Sequence, residues 1–88
     1  MSVHCVSYDL NKPGQDYTAL YEELKKSPGY WHYLDSTWLI STSETATELF
    51  QRIKPHIDNN DTVLVIKVTN EYSGWLPEKA WGWLKEHL

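Results

Sequence analysis

Two stretches near the ends of the first seventy residues alternate with the period of a strand, and helical periodicity separates them. In Val3 to Leu10, Val3, Cys5 and Ser7 fall on one side, and His4, Val6, Tyr8 and Leu10 on the other. Both sides are largely apolar, the pattern of a central strand. Asn11 to Gln15, with Pro13-Gly14, read as the exit loop. Asp16 is placed to cap a helix whose Tyr17, Leu20, Tyr21 and Leu24 recur at i, i+3, i+4 and i+7. Glu22, Glu23, Lys25 and Lys26 read as its solvated outer face, and Ser27-Pro28-Gly29 stops it.

Tyr30 to Thr42 predicts two strands reversing at Asp35-Ser36, since Asp readily bonds nearby backbone and the flanking Trp31, Tyr33, Trp38 and Ile40 are strand formers. One long bent strand is the competing reading. Ser43 or Thr45 caps the second helix, Thr45-x-x-Glu48 having capping-box spacing, and Ala46, Leu49, Phe50, Ile53 and Ile57 make a buried helical stripe that Pro55 ends or kinks near Lys54. After the polar turn Asp58 to Asp61, Thr62 to Thr69 is a strand apolar on both sides, expected beside the first. Pro77 opens a last helix with a stripe of Ala80, Trp81, Leu84 and Leu88, leaving Trp75 and Trp83 off it.

Strand, helix, strand, strand, helix, strand is the order of a ferredoxin-like split βαβ fold: α+β, βαββαβ, a four-stranded antiparallel sheet with both helices on one face. The first and last strands, apolar on both sides, are expected in the middle. Residues 1–70 form this core, and residues 71–88 a Trp-rich helical tail of the same single domain. Two crossover helices cover one side of the sheet, so the tail or another subunit must shield the other.

Composition narrows the function classes. Eighty-eight residues make one core. Five Trp and six Tyr exceed what so thin a core needs, which points to a covered outer sheet face or to aromatic surface offered to a partner. The net charge of −4, with Arg52 the sole arginine and the lysines scattered, argues against strong nonspecific binding to phosphate backbones. Cys5 alone excludes an internal disulfide and fits a reducing compartment. No apolar run reaches bilayer length and no basic-then-apolar leader opens the chain, so no membrane partner is expected and the cytoplasm is the expected location.

Candidate chemistry centres on Asp9, a carboxylate at a strand's C-terminal end. Asp9 from two subunits could hold a divalent cation and lower the pKa of its water; the plainer role is to bond the loop backbone. The candidate binding residues are Tyr8, Trp31, His32, Tyr33 and Asp35. Tyr30, Trp31, Tyr33, Trp38, Trp75, Trp81 and Trp83 could stack bases as sheet-based single-strand binders do, or fill a dimer interface and seat the tail. His32, between Trp31 and Tyr33, could orient a phosphate or base, or simply pack. Asp35 is a turn former first and a ligand second. The four histidines lack metal-ligand spacing, and alternation places His4 opposite Ser7 and Asp9, which dismisses a triad.

Val6-Ser7-Tyr8-Asp9-Leu10, then Gly29-Tyr30-Trp31-His32-Tyr33-Leu34-Asp35-Ser36-Thr37-Trp38-Leu39-Ile40, then Asp61 to Val68 resemble the small bacterial and phage SinR-family proteins. More distantly they resemble the CRISPR-associated ferredoxin-fold proteins of spacer acquisition and their VapD toxin-like relatives. The resemblance implies a homodimer with the open sheet faces apposed. It also implies a metal-ligating aspartate at Asp9, paired across the dimer axis, with Mg2+ or Mn2+ as cofactor of an endoribonuclease. The basic residues those relatives present after this aspartate are absent here except for Lys12. The leading expectation is therefore a homodimeric module without catalysis that binds a protein or small ligand. The alternatives are a metal-dependent endoribonuclease using Asp9, and a nucleotide binder with its ligand on aromatic residues; RNA and nucleotide are the weaker partners.

Overall fold

The computed structural model describes residues 1–10 and 17–88. It is an α+β protein with one four-stranded antiparallel sheet and three helices, an arrangement compatible with a ferredoxin-like fold. The elements are β1 (Ser2–Asp9), α1 (Thr18–Lys25), β2 (Gly29–Trp31), β3 (Thr37–Thr42), α2 (Ala46–Ile53) followed by a 3-10 turn (Lys54–His56), β4 (Thr62–Lys67) and α3 (Glu78–His87). The exit loop and the Asp16 cap expected from the sequence lie outside the described residues.

Local chemistry sets most boundaries as expected. Thr45 caps α2 reciprocally: its hydroxyl accepts from the Glu48 N–H at 3.1 Å while the Glu48 carboxylate accepts from the Thr45 N–H at 2.9 Å. Pro55 ends the α-helix after Ile53, and the chain tightens into the 3-10 turn. The reversal between β2 and β3 closes with Thr37 N–H on the Leu34 carbonyl at 3.2 Å, with Asp35 and Ser36 between them. The hairpin reading holds, and β2 is short.

The strand order β2-β3-β1-β4 corrects one expectation. β1 is central as expected, but β3 is its inner partner and β4 lies at the edge. Apolar residues on both sides of β4 therefore do not signal a central strand. Its Val63 and Val65 pack on the helix side, whereas Leu64 and Ile66 on the other side are 59% and 54% exposed. β3 carries more hydroxyls, yet its Trp38, Ile40, Ser41 and Thr42 are all buried.

One layer of core lies between the sheet and α1 with α2. Val6, Tyr8, Trp38 and Ile40 meet Leu20, Leu24, Leu49 and Ile53 there, all buried. Arg52 ties the ends of this layer together. Its guanidinium donates to the Glu23 carbonyl at 2.8 Å and carboxylate at 3.1 Å, to the Ser27 hydroxyl at 2.8 Å, and to the Glu44 carboxylate at 3.0 Å. One fork thus fastens the end of α1, the turn before β2 and the turn before α2. Glu23 consequently does not belong to a solvated outer face: its side chain is only 16% exposed, and the bond from Arg52 holds its carboxyl below the ordinary carboxylate range.

On the opposite face, the end of α3 approaches β2, and its Trp81 and Leu84 share the lining of one cleft with Leu39 of β3 and Cys5 of β1. Val3 and Ser41, which point that way, are buried, as are Ala80 and Leu84 of α3. A Cβ on Gly29 would meet Ser41 Cβ at 3.1 Å and His87 Nε2 at 3.2 Å, so glycine lets the end of α3 approach β2. The tail thus shelters part of the second face and leaves the outer side of β4 bare.

Two stability tests follow from this packing. Arg52→Lys keeps the charge but loses the planar fork, and should cost about 2 kcal/mol, read as a lower urea midpoint at unchanged slope. His4 is 3% exposed, and its Nδ1 has no hydrogen-bond partner among the described residues. Burial, helped by the charge of Lys67 and opposed by that of Glu44, lowers its pKa below the ordinary 6.5. The unfolded chain then takes up a proton at a higher pH than the folded one. His4's contribution is complete above pH 6.5 and is lost as pH falls from there toward the lowered folded value. Urea midpoints should drop as pH falls below 6.5, and His4→Phe should flatten that slope.

Candidate functional site

Strand alternation sends the aromatic residues of the hairpin to opposite sides of the sheet. Tyr30 pairs with Ile40 and faces the helices, whereas Trp31 pairs with Leu39 and faces the tail. The candidate binding residues are therefore not one cluster.

On the helix side, Trp38 is the hub. His32 lies on its ring with centroids 3.8 Å apart and planes 11° from parallel, Tyr21 stacks at 6.2 Å, and Tyr30 tilts against it at 5.7 Å. The Trp38 indole N–H donates to the Tyr8 hydroxyl at 3.0 Å. That hydroxyl in turn reaches the Asp35 carbonyl at 3.4 Å, and His32 Nε2 lies 3.2 Å from the same carbonyl. Tyr8, His32 and Asp35 are thus joined, but through the backbone of Asp35 and as braces of the β2–β3 turn. Burial raises the pKa of Tyr8, with the Trp38 bond working against it, so the phenol stays protonated at neutral pH.

On the tail side, Trp31 and Tyr33 stack at 5.7 Å with planes 25° apart. Across from them, Tyr72 and Trp81 stack at 5.8 Å and 13°. Between the hairpin and the tail runs a cleft of about 200 Å3, floored by Cys5 and Leu39 and walled by Trp31, Trp81, Tyr72 and Leu84. Among the described residues, its lining contains no Asp, Glu, Lys, Arg or His. Burial pushes the Cys5 thiol up from its ordinary 9.0, which keeps it neutral and a poor nucleophile. Of Tyr8, Trp31, His32, Tyr33 and Asp35, only Trp31 lines this cleft. Trp81, also in the lining, was one of the aromatic residues expected to stack on a base or fill an interface; Cys5, Leu39 and Tyr72 carried no binding expectation, because the cleft forms only when residues far apart in the chain close over one sheet face. The surplus of aromatic residues was the one available signal.

Asp9 is exposed at the end of β1, directly across from Thr62 of β4. Among the described residues, no group of three or more His, Cys, Asp or Glu side chains is arranged to hold a metal ion. One carboxylate is a thin start for Mg2+ or Mn2+, hard cations that prefer six oxygen ligands. A metal at Asp9 would need at least Asp9 of the partner subunit. No helix among the described residues is long and apolar enough to cross a membrane.

No family model matches the chain, and no solved structure matches it. The likeness to SinR-family and CRISPR-associated proteins therefore rests on the sequence motifs alone.

The Tyr8 hydroxyl is tied into the core, which gives a test separate from any ligand. Tyr8→Phe leaves the buried Trp38 N–H without an acceptor and should cost about 1–3 kcal/mol in urea unfolding, a lost bond plus a desolvated donor.

Proposed function

We propose that the protein is a small self-associating binding module with a ferredoxin-like core, which works as a homodimer and acts by recognition rather than by bond-making. The observation that carries this reading is the bare outer side of β4, where Leu64 and Ile66 stand more than half exposed on an edge strand. An edge with apolar side chains and open backbone groups is a template for another strand.

The register fixes which backbone groups are open. Val68 N–H donates to the Val3 carbonyl at 2.8 Å, and Val3 and Val68 continue the β1–β4 register. Alternation then turns the backbone groups of Ile66 and Leu64 toward β1, and those of Val63, Val65 and Lys67 outward. A two-fold axis beside Val65 would pair two β4 strands antiparallel and set Leu64 against Ile66 of the partner subunit. Two four-stranded sheets would join edge to edge, a self-complementary contact of the kind two-fold dimers use. Full face-to-face apposition is disfavoured by α3, which already lies on that ground.

The nuclease reading keeps one supporting feature, the exposed Asp9 carboxylate, and it is separable. Wild type and Asp9→Ala should show the same background in an RNA-cleavage assay with Mg2+ or Mn2+. Cleavage lost with Asp9 would replace the binding reading by the catalytic one.

Sedimentation velocity at micromolar concentration should find a dimer, and Ile66→Lys should weaken it at least tenfold, on the order of 1.4 kcal/mol, with the circular dichroism spectrum unchanged. A wild-type monomer at about 100 μM, weaker than most stable interfaces, would remove the dimer.

A further inference from the structure

We infer that the cleft between the sheet and the C-terminal tail is a binding site for a small neutral molecule with one aromatic ring system, of the size of indole or a phenol. The site goes beyond self-association and is independent of it, because neither Leu64 nor Ile66 lines the cleft.

Three observations set the ligand class. The first is size: about 200 Å3 is well below the space a dinucleotide or drug-sized molecule fills, and close to that of a single ring system. The second is charge. With no acidic or basic side chain in the lining, a carboxylate, phosphate or ammonium group would lose water and gain no partner. The nucleotide expectation fits this cleft poorly for the same reason. The third is the shape of the walls. Trp31 and Trp81, each already stacked on a tyrosine, present rings from the hairpin and from the tail. Cys5 on the floor adds the polarizable sulfur that aromatic edges favour.

An open apolar hollow of this size is unfavourable when filled by water, since its walls lack contact partners. A ring would supply those contacts to both the sheet and the tail. Ligand binding should therefore also pin the tail to the sheet.

The test is an NMR titration of the full chain with indole as probe. Saturable shifts should appear at the backbone amides of Cys5 and Leu39 and at the indole N–H groups of Trp31 and Trp81, with Kd of roughly 0.1–1 mM for so small a molecule. Indole-3-acetate, the same ring with a carboxylate, should bind at least tenfold more weakly to the wild-type protein. Cys5→Leu, which fills the floor, should likewise weaken indole at least tenfold, whereas Leu64→Glu outside the cleft should leave it unchanged. Three outcomes overturn the inference: no saturable shift up to the solubility of indole, equal affinity for the charged analogue, or shifts centred on β4. So does a fourth. If the cleft signals change on dilution without indole, and Trp75→Ala abolishes that change, the occupant is the fully exposed Trp75 of a second copy. The comparison of neutral and charged ligands on wild type stands even if Cys5→Leu fails to fold.

Discussion

A four-stranded sheet whose strands carry apolar side chains on both faces must be covered twice, and this chain has one pair of crossover helices to do it. Everything else in the molecule answers that requirement. α1 and α2 seal one face around Val6, Trp38, Leu49 and Ile53, all buried to 1% exposure or less. α3, reached through an irregular segment after β4, seals the other face over Val3 and Ser41 but stops short of β4. The partial cover produces the two surfaces on which the proposals rest: a lined cleft where the tail stands off the sheet, and an apolar strip where it does not reach.

The covered face is held by polar bonds as well as by burial. Arg52, the sole arginine, joins three separate chain segments through Glu23, Ser27 and Glu44. Because each acceptor is partly buried, the fork works in a setting where its bonds are screened less than on an open surface. The aromatic group around Trp38 does the same for the hairpin: the Tyr8 hydroxyl accepts from the Trp38 indole and reaches the Asp35 carbonyl, so a buried strand braces an exposed turn. Aromatic residues that look like a stacking platform in the sequence are thereby split by strand alternation. Tyr30 and His32 serve the core side, and Trp31 and Tyr33 the cleft side.

The cleft and Asp9 differ in charge and in setting. The cleft is neutral and its thiol is kept protonated by burial, while Asp9 stands exposed at the far end of β1. A single carboxylate is compatible with shared chemistry across a dimer, whereas the dimer proposed above makes its contact along β4.

Features that depend on a few neighbouring residues were legible from the sequence. The Thr45–Glu48 capping box, the stop at Pro55, the turn at Asp35-Ser36 and the order of elements all follow from bonds and dihedrals spanning four residues or fewer. Features that depend on which strands become neighbours were not. The two-sided apolar pattern of β4 is the same whether the strand is central or waits at an edge, because alternation reports what each face carries and not what covers it. Arg52 gives no sign of its role, since Glu23, Ser27 and Glu44 converge on it only once α1 and α2 pack side by side. The cleft is likewise absent from any local pattern: Cys5, Leu39 and Trp81 come together only after the sheet has formed and the tail has crossed it.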